Sequence, residues 1–349
     1  MDIRSLRILR LALGTGLAIW FSQAIAWPLS FIAPVIATAL LGLPAPGLPL
    51  KQGVVLTILA AVALYASLML LPFIEHFRLA GVLLLGLALF LTFYFTAKGG
   101  QQIIGALFTM GIAVATGVGT VSIDAVLLVV NGALAGIAAG LVFVWIAYWL
   151  LPDSRATGPT NAPQPPAAGD IDLADARHNA FRALVVVFPV ALLFLLSSAS
   201  TALIPVMIKV AAMGQQASHD NTRRAARSLL ASTFWGGVAA VIGWQVLSVH
   251  PSLMQYALLV GLAGLVFGRR IFRGTGLDPE AETWSYAYLT MIVILAPAVL
   301  DSAMGDAAGV KFVDRLFMFV LATLYAVAAV IVFDAFSDRR KRAASVPGQ

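Results

Sequence analysis

The chain has 349 residues, 60% of them hydrophobic and 11% charged, with a formal net charge of +6 and a mean hydropathy of +0.94. A soluble domain carries roughly 45–50% apolar and about 25% charged residues, so this composition excludes one and describes a polytopic α-helical membrane protein. Cysteine is absent, which excludes disulfides, thiolate metal sites and cysteine nucleophiles.

Arg4, Arg7 and Arg10, an apolar run and Ala24-Ile25-Ala26 imitate a signal peptide. Apolar sequence resumes directly after Pro28, so a retained first helix is the better reading. Hydrophobic runs predict about twelve transmembrane helices, near 9–26, 29–44, 53–72, 79–97, 102–119 and 124–150, then 180–198, 201–216, 228–248, 253–271, 284–301 and 313–335. The second and eighth are short. Sixteen residues make about 24 Å of helix against a hydrocarbon core of ~30 Å.

Between the two sets, 152–179 is rich in Pro, Ala, Gly and Asp and predicts a flexible cytoplasmic linker. The expected organisation is a membrane repeat at 1–151, the linker, a second repeat at 180–336 and a basic tail at 337–349. Six helices per half make the repeats parallel. Lys and Arg gather in the N-terminal segment, at Lys51 and Lys98, in the linker, the Arg223 and Arg269 clusters and the tail; with Lys209 set inside the membrane, only Arg78, Lys311 and Arg315 remain on the opposite side. This placement argues for cytoplasmic termini rather than nucleic-acid binding.

The halves echo each other. Arg10 lies 24 residues before Pro34 and Arg182 lies 23 before Pro205, each proline followed by valine. Short or proline-interrupted segments at matching places in two halves are a sequence pointer to a transporter's binding site. The echo sets Thr38 opposite Lys209, a basic residue deep inside an apolar segment. Counted from Thr201, Lys209 lies about 12 Å along a helix axis, near the bilayer midplane. An ammonium there costs at least ~2.5–3.5 kcal/mol, so it should face a polar cavity or a partner; the bland alternative is a lysine that snorkels to the interface.

The candidate substrate contacts are therefore Lys209, Pro205, Pro34 and Thr38, with Asn131 inside the sixth span and Gln216 at the cytoplasmic mouth of the eighth. Intramembrane amides such as Asn131 and Gln23 more often join helices. Proton coupling requires a carboxylate, and Asp301, Asp124 and Asp314 at the outer ends of spans are the candidates, although solvated helix ends are their ordinary reading. Asp124 and Asp314 also suit helix N-termini. The histidines, His178 among them, fall in predicted loops. No metal or cofactor motif occurs. Gly132, Gly136 and Gly140 predict a close-packing helix face, and Trp27, Trp149 and Trp284 predict interfacial anchors.

The basic residue before the first span, the segment from Trp27-Pro28 through Phe31 to Ala33-Pro34-Val35, and the repeated six-helix unit resemble the aromatic acid exporter and fusaric acid resistance superfamily. Its short members, with two membrane halves, are the most similar branch, and Asp314-Arg315 at the start of the last span fits the same pattern. The resemblance implies proton-driven efflux of aromatic carboxylic acids or related drugs across a bacterial inner membrane. It also implies a periplasmic membrane-fusion adaptor as partner, with the two halves of one chain standing in for two subunits of shorter relatives, and it allows a homo-oligomer of this chain. The chain departs from full-length exporters in its linker of about 28 residues, where they carry a cytoplasmic domain. The expectation is thus a secondary transporter and not an enzyme. The alternatives are a membrane-embedded transferase and a non-transporting scaffold subunit of an export complex.

Overall fold

A computed structural model describes residues 2–27, 29–44, 46–118, 123–152, 173–196, 204–219, 222–273, 276–277, 280–302 and 308–344. They are helical apart from turns and one two-residue antiparallel ladder that pairs Phe272 with Leu277 and Arg273 with Gly276. In chain order the helices are α1 (Ile3–Ile25), α2 (Ile32–Leu41), α3 (Leu50–Leu68), α4 (Leu71–His76), α5 (Arg78–Ala97), α6 (Gln102–Val118) and α7 (Ile123–Leu150). The remainder are α8 (Leu173–Leu196), α9 (Ile204–His219), α10 (Thr222–Val249), α11 (Leu253–Ile271), α12 (Ala281–Ser302) and α13 (Ala308–Ala344). Long runs of Leu, Ala and Val propagate helix readily, and a helix satisfies its backbone polar groups where water is absent. The all-α polytopic reading holds.

Among the described residues, seven helical stretches are long and apolar enough to cross a membrane, α3 and α4 together forming one of them. The expected count of about twelve crossings is not fixed by these helices, and α2 shows one reason. α2 has ten residues, which make about 15 Å and traverse half of a ~30 Å core. A tight turn consumes the apolar residues before it, and Gly42 and Pro44 follow its end.

The packing forms two compact units. The first contains α1, α2, α3 through Val62, α7, α10 from Ala231, α11, α12 and α13 through Phe317. The second contains the remainder of α3, then α4, α5, α6, α8 and α9, α10 through Leu230 and α13 from Met318. Each unit draws on both sequence halves. In the first, α1 packs on α2, α7 and α11, and α12 packs on α11 and α2. In the second, α8 packs on α9 and α5, and α6 packs on α5 and α9. The units therefore follow one recipe: each joins the first, second and sixth helices of one half to the fourth and fifth of the other. The linker divides the sequence but not the packing.

The small-residue face of α7 seats α2. A Cβ at Gly136 would stand 2.9 Å from Ile32 Cβ, and one at Gly140 would stand 2.7 Å from the Ala33 carbonyl oxygen. Only a bare Cα lets the two backbones approach so closely. Gly140→Val is expected to destabilise the protein by about 1–3 kcal/mol through overpacking, read as a lower melting midpoint in detergent. Gly237→Ala is the control, since its nearest neighbour, Leu316 Cδ1, would lie 3.5 Å away.

Candidate functional site

In the second unit, α9 lies against α8, α6 and α5. Gly214 permits the close approach, because a Cβ there would meet Phe93 Cζ at 2.8 Å and also Val187. Lys209 is buried in this packing, with 6% of its surface exposed. It does not snorkel: a side chain reaching the interface would keep its ammonium end in water. One and a half turns further along α9, the buried Gln215 donates through Nε2 to Thr109 Oγ1 of α6 at 2.8 Å. The Thr109 hydroxyl in turn donates to the Gly105 carbonyl at 2.8 Å.

Gly105 also borders a groove of about 380 Å³ formed by the end of α3 with α5 and α6, where Ala66, Leu91, Phe95, Ile104 and Phe108 make an apolar wall. The hydroxyls in its lining are spent on their own helices, Ser67 on the Leu64 carbonyl and Thr92 on the Ala88 carbonyl. α6 lies between the groove and α9, which supplies the buried amide and, farther along, the buried ammonium.

A second charged cluster ties α8 to α13. Arg182, 4% exposed, donates through Nη1 to Asp334 Oδ2 at 3.1 Å, and His178 Nε2 lies 3.5 Å from Asp334 Oδ1. The Tyr325 hydroxyl donates to the Val185 carbonyl along the same contact. Sequence reasoning placed His178 in a loop; α8 begins at Leu173 and includes it.

In the first unit the corresponding basic residue, Arg10, is 3% exposed. It donates to the Leu151 carbonyl just past α7 and lies 4.2 Å above the Tyr148 ring. Arg4 likewise donates to the Phe272 and Arg269 carbonyls at the end of α11. Both cations meet the negative ends of helices, where their charge is favoured. The arginines that carried the orientation signal also clamp helix ends.

Pro34 and Thr38 are both buried in α2. Thr38 Oγ1 and Thr15 Oγ1 are 3.0 Å apart. The predicted Thr38 thus belongs to a buried hydroxyl pair that joins α2 to α1. In the same unit the Tyr288 hydroxyl of α12 donates to the Val260 carbonyl of α11 at 2.9 Å.

Thr38 and Pro34 lie in the first unit, while Lys209 and Pro205 lie in the second. Asn131, Asp124 and Asp314 are solvent- or lipid-exposed. Pro205, Gln216 and Asp301 sit in α9, α9 and α12, and their side chains lie outside the described residues. Among the described residues, no three His, Asp or Glu side chains converge as a metal-binding group.

A family described as "Protein of unknown function (DUF2955)" matches residues 7–150, a stretch that ends with α7. No curated protein matches the chain, and no solved structure does. What the comparisons identify is similarity of the first half to a family whose description assigns no activity.

Proposed function

We propose that the protein is a secondary exporter of aromatic carboxylic acids or related organic anions, coupled to the proton gradient. The observation that carries this reading is Lys209, a cation buried within the helices of a membrane protein. Intramembrane ionisable residues are costly and usually mark a substrate or ion pathway. Support comes from the apolar groove in the same unit, on the far side of α6, whose volume exceeds that of one aromatic ring, and from the buried Gln215 amide that α9 directs at α6. The ring would lie in the groove, and the carboxylate would be drawn to the ammonium.

The resemblance to the aromatic acid exporter and fusaric acid resistance superfamily supplies the setting. We place the protein in a bacterial inner membrane with both termini cytoplasmic, working with a periplasmic membrane-fusion adaptor. Asp301 remains the proposed proton acceptor, with Asp124 and Asp314 less suited because they are exposed.

The test uses everted membrane vesicles containing the full chain and a panel of radiolabelled hydroxybenzoates. Export in the cell becomes uptake in these vesicles, and the expected uptake requires an imposed pH gradient. Uptake indifferent to the gradient would refute proton coupling. No uptake across the panel would refute the substrate class.

A further inference from the structure

The turn that joins α1 to α2 carries three features, and the first of them does nothing for fold stability. First, Gln23 Nε2, Trp27 Nε1 and Ser30 Oγ are all buried, and none has a hydrogen-bond partner among the described residues. Ser30 is fully buried. Second, two non-glycine residues adopt left-handed backbone conformations, Ala26 at φ 54° and Leu29 at φ 58°. Third, an aromatic wall stands beside the donors: Phe21 packs against Trp27 at 6.2 Å and against Phe143 at 5.4 Å between ring centroids.

Each feature is unfavourable or unnecessary for a simple connection. A buried donor without an acceptor is rare, and strained backbone persists where a structure needs an unusual geometry. Here they coincide within eight consecutive positions, 23–30. The Ser30 amide closes the turn on the Trp27 carbonyl at 3.1 Å, so the Trp27 and Ser30 backbones are close neighbours. Gln23 stands about one helical turn before Trp27.

The donor set selects the ligand. An indole N–H and an amide NH₂ can only donate, and the serine hydroxyl can donate as well. Together the three unpartnered atoms present donors to one short stretch of chain and favour an acceptor. The end of α1 is partly closed by the Ala26 amide on the Ser22 carbonyl at 3.0 Å, while Ser30 precedes the start of α2, whose amide end favours negative charge. Such a site suits a carboxylate that carries an aromatic ring against Phe21 and Phe143.

We propose that the α1–α2 turn is a second anion site, in which Gln23, Trp27 and Ser30 hold the carboxylate of an aromatic acid. The choice of an aromatic acid rests on the export reading above; the preference for an acceptor does not. This site belongs to the first unit and is separate in sequence and packing from Lys209.

The experiment uses the full chain in detergent, with benzoate as probe and no gradient. The variants are Gln23→Leu, Trp27→Phe and Ser30→Ala, each deleting one donor with little loss of volume. In the wild type, benzoate raises the melting midpoint. Each variant is expected to weaken the apparent affinity about tenfold or more, since hydrogen bonds to charged groups are the strong ones. Ligand-free Gln23→Leu and Ser30→Ala are expected to melt higher than the wild type, because each removes a buried donor that the fold does not use.

A benzoate shift that survives in all three variants overturns the site, as does no shift in the wild type. A fall in the ligand-free midpoint of both polar-to-apolar variants also overturns it, since the donors would then be holding the fold together. Benzoate binding without gradient-driven uptake in vesicles would refute export and leave this site standing. Uptake with wild-type kinetics in the three variants would refute the site and leave export standing.

Discussion

Lys209→Ala abolishes uptake of aromatic carboxylates into everted vesicles while the protein accumulates in the membrane at its normal level. The expected loss is at least tenfold, because deleting a charged group that meets a carboxylate in a buried setting removes about 1.5–3 kcal/mol. Alanine also relieves the cost of a buried ammonium, so the variant should fold at least as well as the parent. This dissociation separates a substrate cation from a structural one. A lysine that held α9 in place would lower both transport and abundance when removed. Wild-type uptake by Lys209→Ala would refute its role outright. Lys209→Arg is the finer probe: it keeps the charge but replaces a compact ammonium by a planar guanidinium. In packing as close as that around Gly214 and Phe93, partial rather than full activity is expected.

The largest stability effect is expected from the Arg182–Asp334 pair. Arg182→Ala leaves the Asp334 carboxylate, 13% exposed, without its 3.1 Å partner. Breaking a buried pair from one side costs about 3–5 kcal/mol, and the residual exposure of Asp334 places this case toward the lower end. The melting midpoint in detergent should fall well below that of the parent. The double variant Arg182→Met with Asp334→Leu should recover most of the loss, because the burial cost of the orphaned charge disappears with it. An unchanged midpoint in Arg182→Ala would show that the pair is solvated in the membrane and does not fasten α8 to α13. His178, 3.5 Å from the other carboxylate oxygen, adds an imidazole to the same junction and would be expected to moderate the single-variant loss.

Much of this architecture was legible in the sequence. The long apolar runs predicted helices and membrane residence, because lipid leaves the backbone few other ways to satisfy its polar groups. The shortness of the second span was visible around Pro34 and Pro44, and the glycine spacing in α7 predicted the face on which α2 sits. The pairing of Arg10 with Arg182 was visible as a matched spacing to Pro34 and Pro205, although their partners were not. Arg182 meets a carboxylate 152 positions away, and nothing in local periodicity reports a contact at that distance. His178 was misplaced because polar residues before a hydrophobic run look like a loop, whereas α8 extends two turns beyond its apolar segment.

The α1–α2 turn shows the same limit at closer range. Trp27 read as an interfacial anchor and Gln23 as helix–helix glue, which are the common roles of those residues in membranes. Only atomic burial reveals that their nitrogens, together with Ser30 Oγ, are shielded and lack acceptors.

By itself the sequence determined the helical class, the membrane setting, the duplicated order of segments and the presence of one deeply placed lysine. These depend on composition and on periodicities a few residues long. The tertiary structure decided which helices share a unit. It assigned the fourth and fifth helices of each half to the unit begun by the other, and so placed Thr38 in one unit and Lys209 in the other. That partition is a matter of which surfaces fit together, and complementarity between segments far apart in the chain leaves no mark on the pattern of either one.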